Sequence, residues 1–316
     1  GNVNNMTLNG AGGVSIGSDM TLNGTLTLSN GLLSLGSSNL TLGSSATVSG
    51  TASASNMLVA TGSGELRKIF GSAGSFSFPI GDNTGTAEYS PVTVNMASGT
   101  FGSGAYVSAR VTNSKHPNNV SSDHYLNRYW TISQSGITGF SATVTGTYTA
   151  DDVNGTEGNI LMGKWSGSLP WVRYGSSINT GSKQLTSGSM SSFSSFTGIS
   201  SSNPTVSITP TNNNFCEGGS TTLNTSASGD GTLSYVWTPG GSSSSSITVS
   251  PSTSTQYKVT VTDGNGMTVQ DSVTITVYSP TSSDTTASVC TSFSWRGTTY
   301  TSSGDKYDTC LLYTSP

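Results

Sequence analysis

The sequence predicts an all-β protein built from modules in a row: a short β-solenoid-like segment, then β-sandwiches. Three observations predict it. Charged residues make up only 8% of the 316 residues, about a third of the usual ~25%, and Ser, Thr, Asn and Gly stand in their place. Val, Leu, Ile and aromatic residues recur throughout and alternate with Ser and Thr, which suits a pleated surface. Gly and Asn-Gly punctuate these segments at short intervals, as tight turns require. The composition therefore reads as sheets with uncharged polar outer faces. It is not the low-hydrophobicity, high-charge signature of disorder.

Charge and hydropathy exclude other classes. The net charge is −4 and Lys plus Arg number 11. No basic stripe exists to neutralise phosphates, so nucleic acid is not an expected partner. No apolar run approaches the ~18 residues of a membrane span. The chain starts at Gly1 with no charged-then-apolar leader. The reading is a piece of a longer chain, secreted to the extracellular space or the cell surface, with secretion inferred from composition alone.

Residues 1–60 carry an internal repeat. Apolar-x-apolar triplets recur as Met6/Leu8, Val14/Ile16, Met20/Leu22, Leu26/Leu28, Leu33/Leu35, Leu40/Leu42 and Ala46/Val48. Asn9-Gly10, Asn23-Gly24 and Asn30-Gly31 supply turns after them. Strands this short make weak hairpins but good rungs of a parallel solenoid, three to a coil of about twenty residues. A meander of very short antiparallel strands is the alternative. The middle residue of each triplet faces outward: Thr7, Ser15, Thr21, Thr27, Ser34, Thr41 and Thr47. A hydroxyl ladder of this kind suits ice, glycan or a crystalline surface. Equally, Thr and Ser are ordinary exposed strand residues, and the faces of a solenoid would divide them.

Residues 61–199 gain aromatics, charges and longer strands. Candidates are 66–70, 75–79, 90–97, 105–112, 126–133, 139–148, 160–165, 171–174 and 192–199, which suggests a β-sandwich. Val92, Val94 and Met96 alternate cleanly, then Tyr106, Ala109 and Val111 do so only partly, so a bulge is expected near Ser108. After a linker at 200–203, residues 204–278 read as an Ig-like unit. Its strands are expected at 206–209, 220–225, 233–238, 246–249, 256–262 and 269–277, with Trp237 buried between sheets and Asp263–Gly266 as a hairpin turn. Residues 279–309 begin a further module too short to bury a core alone. The ending CLLYTSP, Cys310–Pro316, can be encoded by a transposon-end sequencing adapter, so it is read as an artefact.

Three regions carry a family resemblance. FCEGGSTTL, YVWTPGG, ITVSP and YKVTVTDGNG within 204–277 resemble the Ig-like or PKD-like repeats of giant adhesin-like surface proteins of gliding bacteria exported by type IX secretion. VCTSFSWRGTTYTSSGDKYDT resembles a repeat that accompanies them, and FPIGDNTGTAEYSPV with LNRYWTI is similar to a domain lying upstream in such proteins. The resemblance implies extracellular display, adhesion or spacing. It also implies a Cys where Met267 stands, paired with the equivalent of Cys216. With that partner absent, Cys216 is expected to be a free thiol, and Cys290 to find its partner further downstream. A bridge between Cys216 and Cys290 is the alternative.

The chemistry-bearing residues are few. His116 and His124 lie in NSKHPNNVSSDHYLNRYW with Asp123. Their spacing fits no zinc motif, and an exposed polar loop explains them. No G-x-S-x-G elbow sits at a strand-to-helix turn, and no helices are expected. Asp151, Asp152 and Glu157 in YTADDVNGTEGN, and Asp82 with Glu88, are loop acids that suit calcium, although neither group follows calcium-loop spacing. Solvated turns are the simpler reading, and no other cofactor is implied. Trp165, Trp171 and Tyr174 are candidates for stacking on sugar rings, or else for filling the core. The expected function is a non-enzymatic structural or adhesive surface protein, monomeric within a longer chain, with extracellular polysaccharide or other surface components as partners. The alternative is a carbohydrate-binding accessory region of a secreted glycan-degrading enzyme.

Overall fold

The computed structural model describes residues 1–175, 178–279, 292–295 and 298–301. These residues are all-β. Their only helical turns are Ala150–Asp152 and Glu157–Asn159, both 3-10. They divide into two units. One holds residues 1–203 with the short stretches 230–232 and 263–267; the other holds the remaining described residues from Pro204.

The triplet repeat folds as parallel rungs, which sets aside the antiparallel meander. Its strands are β1 (Asn2–Val3), β2 (Met6–Asn9), β3 (Val14–Ser15), β4 (Met20–Leu22), β5 (Thr25–Asn30), β6 (Leu33–Ser34), β7 (Leu40–Leu42), β8 (Thr47–Gly50) and β9 (Leu58–Val59). They wind around three faces. β1, β4 and β7 stack in parallel on the first, β2, β5 and β8 on the second, and β3, β6 and β9 on the third. Thr21 pairs with Asn2 on one side and Thr41 on the other, so a coil takes about twenty residues. Leu22, Leu26, Leu28, Leu33, Leu35, Leu40 and Leu42 all point inward and are buried. Each contributes about 1.5–3 kcal/mol by leaving water, which such short strands require to persist. Gly31 shows why the corners need glycine. Its φ is +98°, and a Cβ there would collide with the Gly10 carbonyl stacked against it.

The solenoid does not end at residue 60. β10 (Leu66–Ile69) pairs in parallel with β7 and, on its other edge, antiparallel with a long later strand. The intervening strands are β11 (Gly74–Phe78), β12 (Ile80–Asp82) and β13 (Glu88–Tyr89), and the long strand is β14 (Val92–Thr112). β12 adds a rung in parallel to β9, and β13 closes that face antiparallel to β12. There follow β15 (Tyr125–Leu126), β16 (Tyr129–Thr147), β17 (Val153–Asn154), β18 (Ile160–Trp165), β19 (Val172–Tyr174), β20 (Ile178–Asn179), β21 (Gln184–Thr186) and β22 (Ser195–Ser200). One sheet runs β1-β4-β7-β10-β14-β16-β22-β18-β19. One buried cluster likewise runs from Leu8 to Phe196. Residues 1–60 and 61–199, expected as separate modules, thus share a sheet and a core. The physical reason is the open edge of the last rung: β14 satisfies backbone groups that would otherwise be left unpaired.

The expected bulge lies elsewhere. Ser108 pairs regularly with Ser133, and the register shifts fall between Met96 and Tyr106. Buried positions accordingly change phase, from Val92, Val94 and Met96 to Ala105, Val107, Ala109 and Val111. Tyr106, expected to face inward, lies beneath the Arg67 guanidinium at 4.8 Å.

The second unit begins with β23 (Thr205–Pro210) and β24 (Asn214–Cys216), then β25 (Thr221–Ser228), β26 (Ser234–Thr238), β27 (Ser246–Val249), β28 (Thr255–Thr262) and β29 (Thr268–Tyr278). They form a three-stranded sheet, β23-β25-β27, and a four-stranded sheet, β24-β29-β28-β26. Leu223 from the first sheet joins Trp237, Tyr257, Val259, Val261 and Ile275 from the second in one buried cluster. Trp237 is fully buried, and its indole N–H donates to Ser244 O at 2.9 Å. β24 was not expected from the sequence. It pairs in parallel with β29 and sets Cys216 opposite Tyr278, the last residue of that strand. Cys216 is disulfide-bonded, which overturns the expected free thiol. Its partner lies outside the described residues, as do Cys290 and the segment 310–316. β30 (Phe293–Trp295) and β31 (Thr298–Tyr300) pair antiparallel.

Candidate functional site

The densest concentration of charge is buried inside the first unit, around Arg128. Leu126, Arg128, Trp130 and Ile132 alternate along one chain segment, so the period of two that buries the three apolar residues also buries the arginine. Its guanidinium meets three carboxylates. Nε donates to Asp152 Oδ2 at 2.7 Å and Nη1 to Asp82 Oδ2 at 2.6 Å, while Nη2 donates to Glu88 Oε2. The Arg128 and Asp82 side chains are closed to solvent, and Asp152 and Glu88 nearly so. Neutral donors complete the cluster. Asn113 Nδ2 bridges Asp82 and Glu88 at 3.0 and 3.1 Å, and Thr149 donates from its amide to Asp152 at 2.7 Å and from its hydroxyl to Glu88 at 2.8 Å. Burial alone pulls the guanidinium pKa down. The hydrogen bonds and charges of Asp152 and Asp82 more than offset this and hold it above the ordinary arginine value. The stretches FPIGDNTGTAEYSPV and LNRYWTI thus meet through a buried ion cluster.

Of the calcium candidates, Asp82, Glu88 and Asp152 meet on the Arg128 guanidinium, whereas Glu157 is engaged elsewhere. Asp152 faces Arg128, as above. Glu157 accepts from the Tyr148 hydroxyl at 2.6 Å and from Lys183 Nζ at 2.7 and 2.8 Å. Partial burial would raise the Glu157 pKa, but the bonds to Lys183 and Tyr148 outweigh it and hold the carboxyl low. Asp151 is exposed beside them. Arg128 and Lys183 thus pair with the carboxylates of Asp152 and Glu157. No group of three His, Cys, Asp or Glu among the described residues is placed to hold a metal.

The two histidines also part company. His116 is buried, not in an exposed loop, and sits edge-on to Tyr129 at 4.9 Å and to Trp171 at 5.0 Å. Its Nδ1 accepts the Asn118 amide at 3.2 Å, and desolvation lowers its pKa. His124 instead accepts the Thr156 amide at 2.9 Å, on a backbone with φ of +58°. Asp123 lies 3.5 Å from the same ring nitrogen.

The three sugar-stacking candidates do not form one platform. Trp171 is only 2% exposed, and its indole N–H donates to Asn118 O at 3.1 Å. Trp165 packs on the small cluster of Leu161, Trp171 and Ile199, whereas Tyr174 packs on the main core. Trp171 therefore has no face to offer a sugar ring; the tryptophans fill space, as aromatics in small cores commonly do.

What the unit does display is hydroxyl. The predicted outward residues divide by face, Thr21 with Thr41, Ser15 with Ser34, and Thr7 with Thr27. The second face is the most regular. Thr7, Thr27 and Ser49 form one column across three rungs, and Thr25 and Thr47 a second. Thr27 and Ser49 are hydrogen-bonded at 3.0 Å, Thr25 and Thr47 at 3.2 Å. On the first face the inward column Val3, Leu22, Leu42 ends on Lys68. Its ammonium donates to the carbonyls of Gly43, Ser44 and Ala46 at 2.6–2.9 Å, and desolvation lowers its pKa.

Sequence reasoning missed Arg128, Lys68 and the pairing of Asp82 with Glu88 on one guanidinium. For Arg128 the signal was present in the alternation of LNRYWTI. For Lys68 it was the triplet periodicity continued one rung further. No protein-family model matches the chain, and no curated protein gives a significant match.

Proposed function

We propose that this chain is a structural or adhesive part of an extracellular surface protein, whose modules space and display neutral hydroxyl faces. The observation that carries the reading is the stack of parallel rungs with in-register Thr and Ser columns, Thr7–Thr27–Ser49 and Thr25–Thr47. Such a face offers donors and acceptors at the inter-strand repeat, about 4.8 Å, to neutral polar partners such as extracellular polysaccharide. The acids that would otherwise suggest chemistry are engaged in holding the unit together around Arg128 and Lys183. The disulfide at Cys216 supports an oxidising, extracellular location, because such bonds are rare where thiols are kept reduced.

The second unit is best read as an Ig-like sandwich of the PKD-like kind. Support comes from its two antiparallel-dominated sheets, the Trp237 side chain buried in the common cluster, and the resemblance of residues 204–277 to such repeats. A spacer role and export by type IX secretion follow from that resemblance. The test is antibody labelling of intact, unpermeabilised cells of an organism expressing the protein. Surface labelling is expected. Signal seen only after permeabilisation would reject the proposal.

A further inference from the structure

Five Asn-Gly pairs occur in the chain, at Asn9, Asn23, Asn30, Asn154 and Asn265. This dipeptide is chemically labile because glycine leaves its own amide nitrogen unhindered for attack on the preceding side chain. Attack needs that nitrogen free of a hydrogen bond, and the fold treats the five pairs differently. Three are solenoid corners whose glycine amides are tied to the backbone of a neighbouring rung. Gly10 donates to Asn30 O at 2.9 Å, Gly24 to Asn4 O at 2.6 Å and Gly31 to Ser55 O at 2.9 Å. In the fourth, Gly266 donates to Asp263 O at 2.9 Å within its hairpin, and Asn265 is 3% exposed.

Asn154–Gly155 is the exception. Asn154 is the last residue of β17 and pairs with Tyr125 of β15. The next residue falls at a non-bonded position of that short antiparallel ladder. Gly155 is exposed, and among the described residues its amide donates to no backbone carbonyl. Glycine is also fixed here by the fold: φ is +77°, and a Cβ would run into the Asp123 carboxylate and the His124 ring. The most labile dipeptide is thus held at the one corner that leaves its nucleophile open.

We propose that Asn154 is a site of spontaneous modification, deamidating through a succinimide while the other four Asn-Gly pairs are protected by the fold. The Gly155 nitrogen bonds to Asn154 Cγ. The side-chain nitrogen leaves as ammonia, taking up the proton released from the Gly155 amide. Water then opens the ring to aspartate or isoaspartate, so no other reactant is needed. The product places a new negative charge two residues from Asp152 and the Arg128 cluster.

The test is incubation of the folded full chain at mildly alkaline pH, followed by proteolysis and mass mapping of all five peptides. A parallel sample is held in denaturant, and N154Q identifies the Asn154 peptide by its failure to convert. In the folded chain Asn154 is expected to convert several-fold faster than the other four, and in denaturant the five rates should draw together. The proposal fails if Asn154 converts no faster than its counterparts in the folded chain. It fails equally if its advantage survives denaturation, since the fold would then not be its source.

Discussion

Arg128 and Asp152 lie 24 residues apart and meet at 2.7 Å with both side chains shut off from water. The same guanidinium holds Asp82 and Glu88, so one cation joins the end of the solenoid to the long antiparallel strands. Removing it would leave three carboxylates without their cation. R128M should lower the stability of the first unit by about 3–5 kcal/mol, the usual cost of breaking a buried pair from one side. R128K should lose less, since it keeps the charge but not the three-way fork. Urea denaturation of the full chain measures both.

His116 gives the unit an acid sensitivity whose sign follows from its burial. Desolvation sets its folded pKa below the ordinary 6.5. Above 6.5 neither folded nor unfolded chain carries the proton, and the full stability is present. As pH falls through 6.5 the unfolded chain takes up the proton first, so stability declines until the folded pKa is passed. H116F keeps the ring packing against Tyr129 and Trp171 and should remove this part of the decline. Denaturation midpoints of the two chains, compared above and below pH 6.5, provide the measurement.

Lys68 replaces a core leucine in the inward column and caps three carbonyls at the corner Gly43–Ala46. K68M restores an apolar side chain there but leaves those carbonyls without their donor. A loss of about 1–3 kcal/mol is expected, with faster amide hydrogen exchange concentrated at residues 43–47. Unchanged exchange at that corner would show that the ammonium is dispensable.

Much of the architecture was legible because side-chain period reports directly on burial. The triplets of residues 1–60, the alternation of Tyr257, Val259 and Val261, and the inward Trp237 all depend on local pattern alone. The shared core was not legible. Nothing within Leu66–Ile69 announces that one edge will pair in parallel with β7 and the other antiparallel with β14, because strand direction is set by partners distant in sequence. The phase change between Met96 and Tyr106 was visible as broken alternation but misplaced, since Ser108 is buried in spite of its polarity. In the sequence the acids look like loop residues because their neighbours are turn formers. Only the fold reveals that Asp82, Glu88 and Asp152 converge on one arginine. Trp165, Trp171 and Tyr174 are close in sequence and suit either a sugar platform or a core, yet the two tryptophans share one small cluster and Tyr174 packs on another.

The hydroxyl face depends on rungs stacked in parallel and in register, and paired cysteines on the second face test that most directly. T27C with S49C places thiols on adjacent rungs, about 4.8 Å apart, within the Cα range of about 4.4–6.8 Å that a disulfide spans. T7C with S49C places them two rungs apart, beyond that range. Mild oxidation and peptide mapping should show the first pair cross-linked in the folded monomer and the second not. Cross-linking of the distant pair, or failure of the adjacent one, would contradict the stacked hydroxyl face.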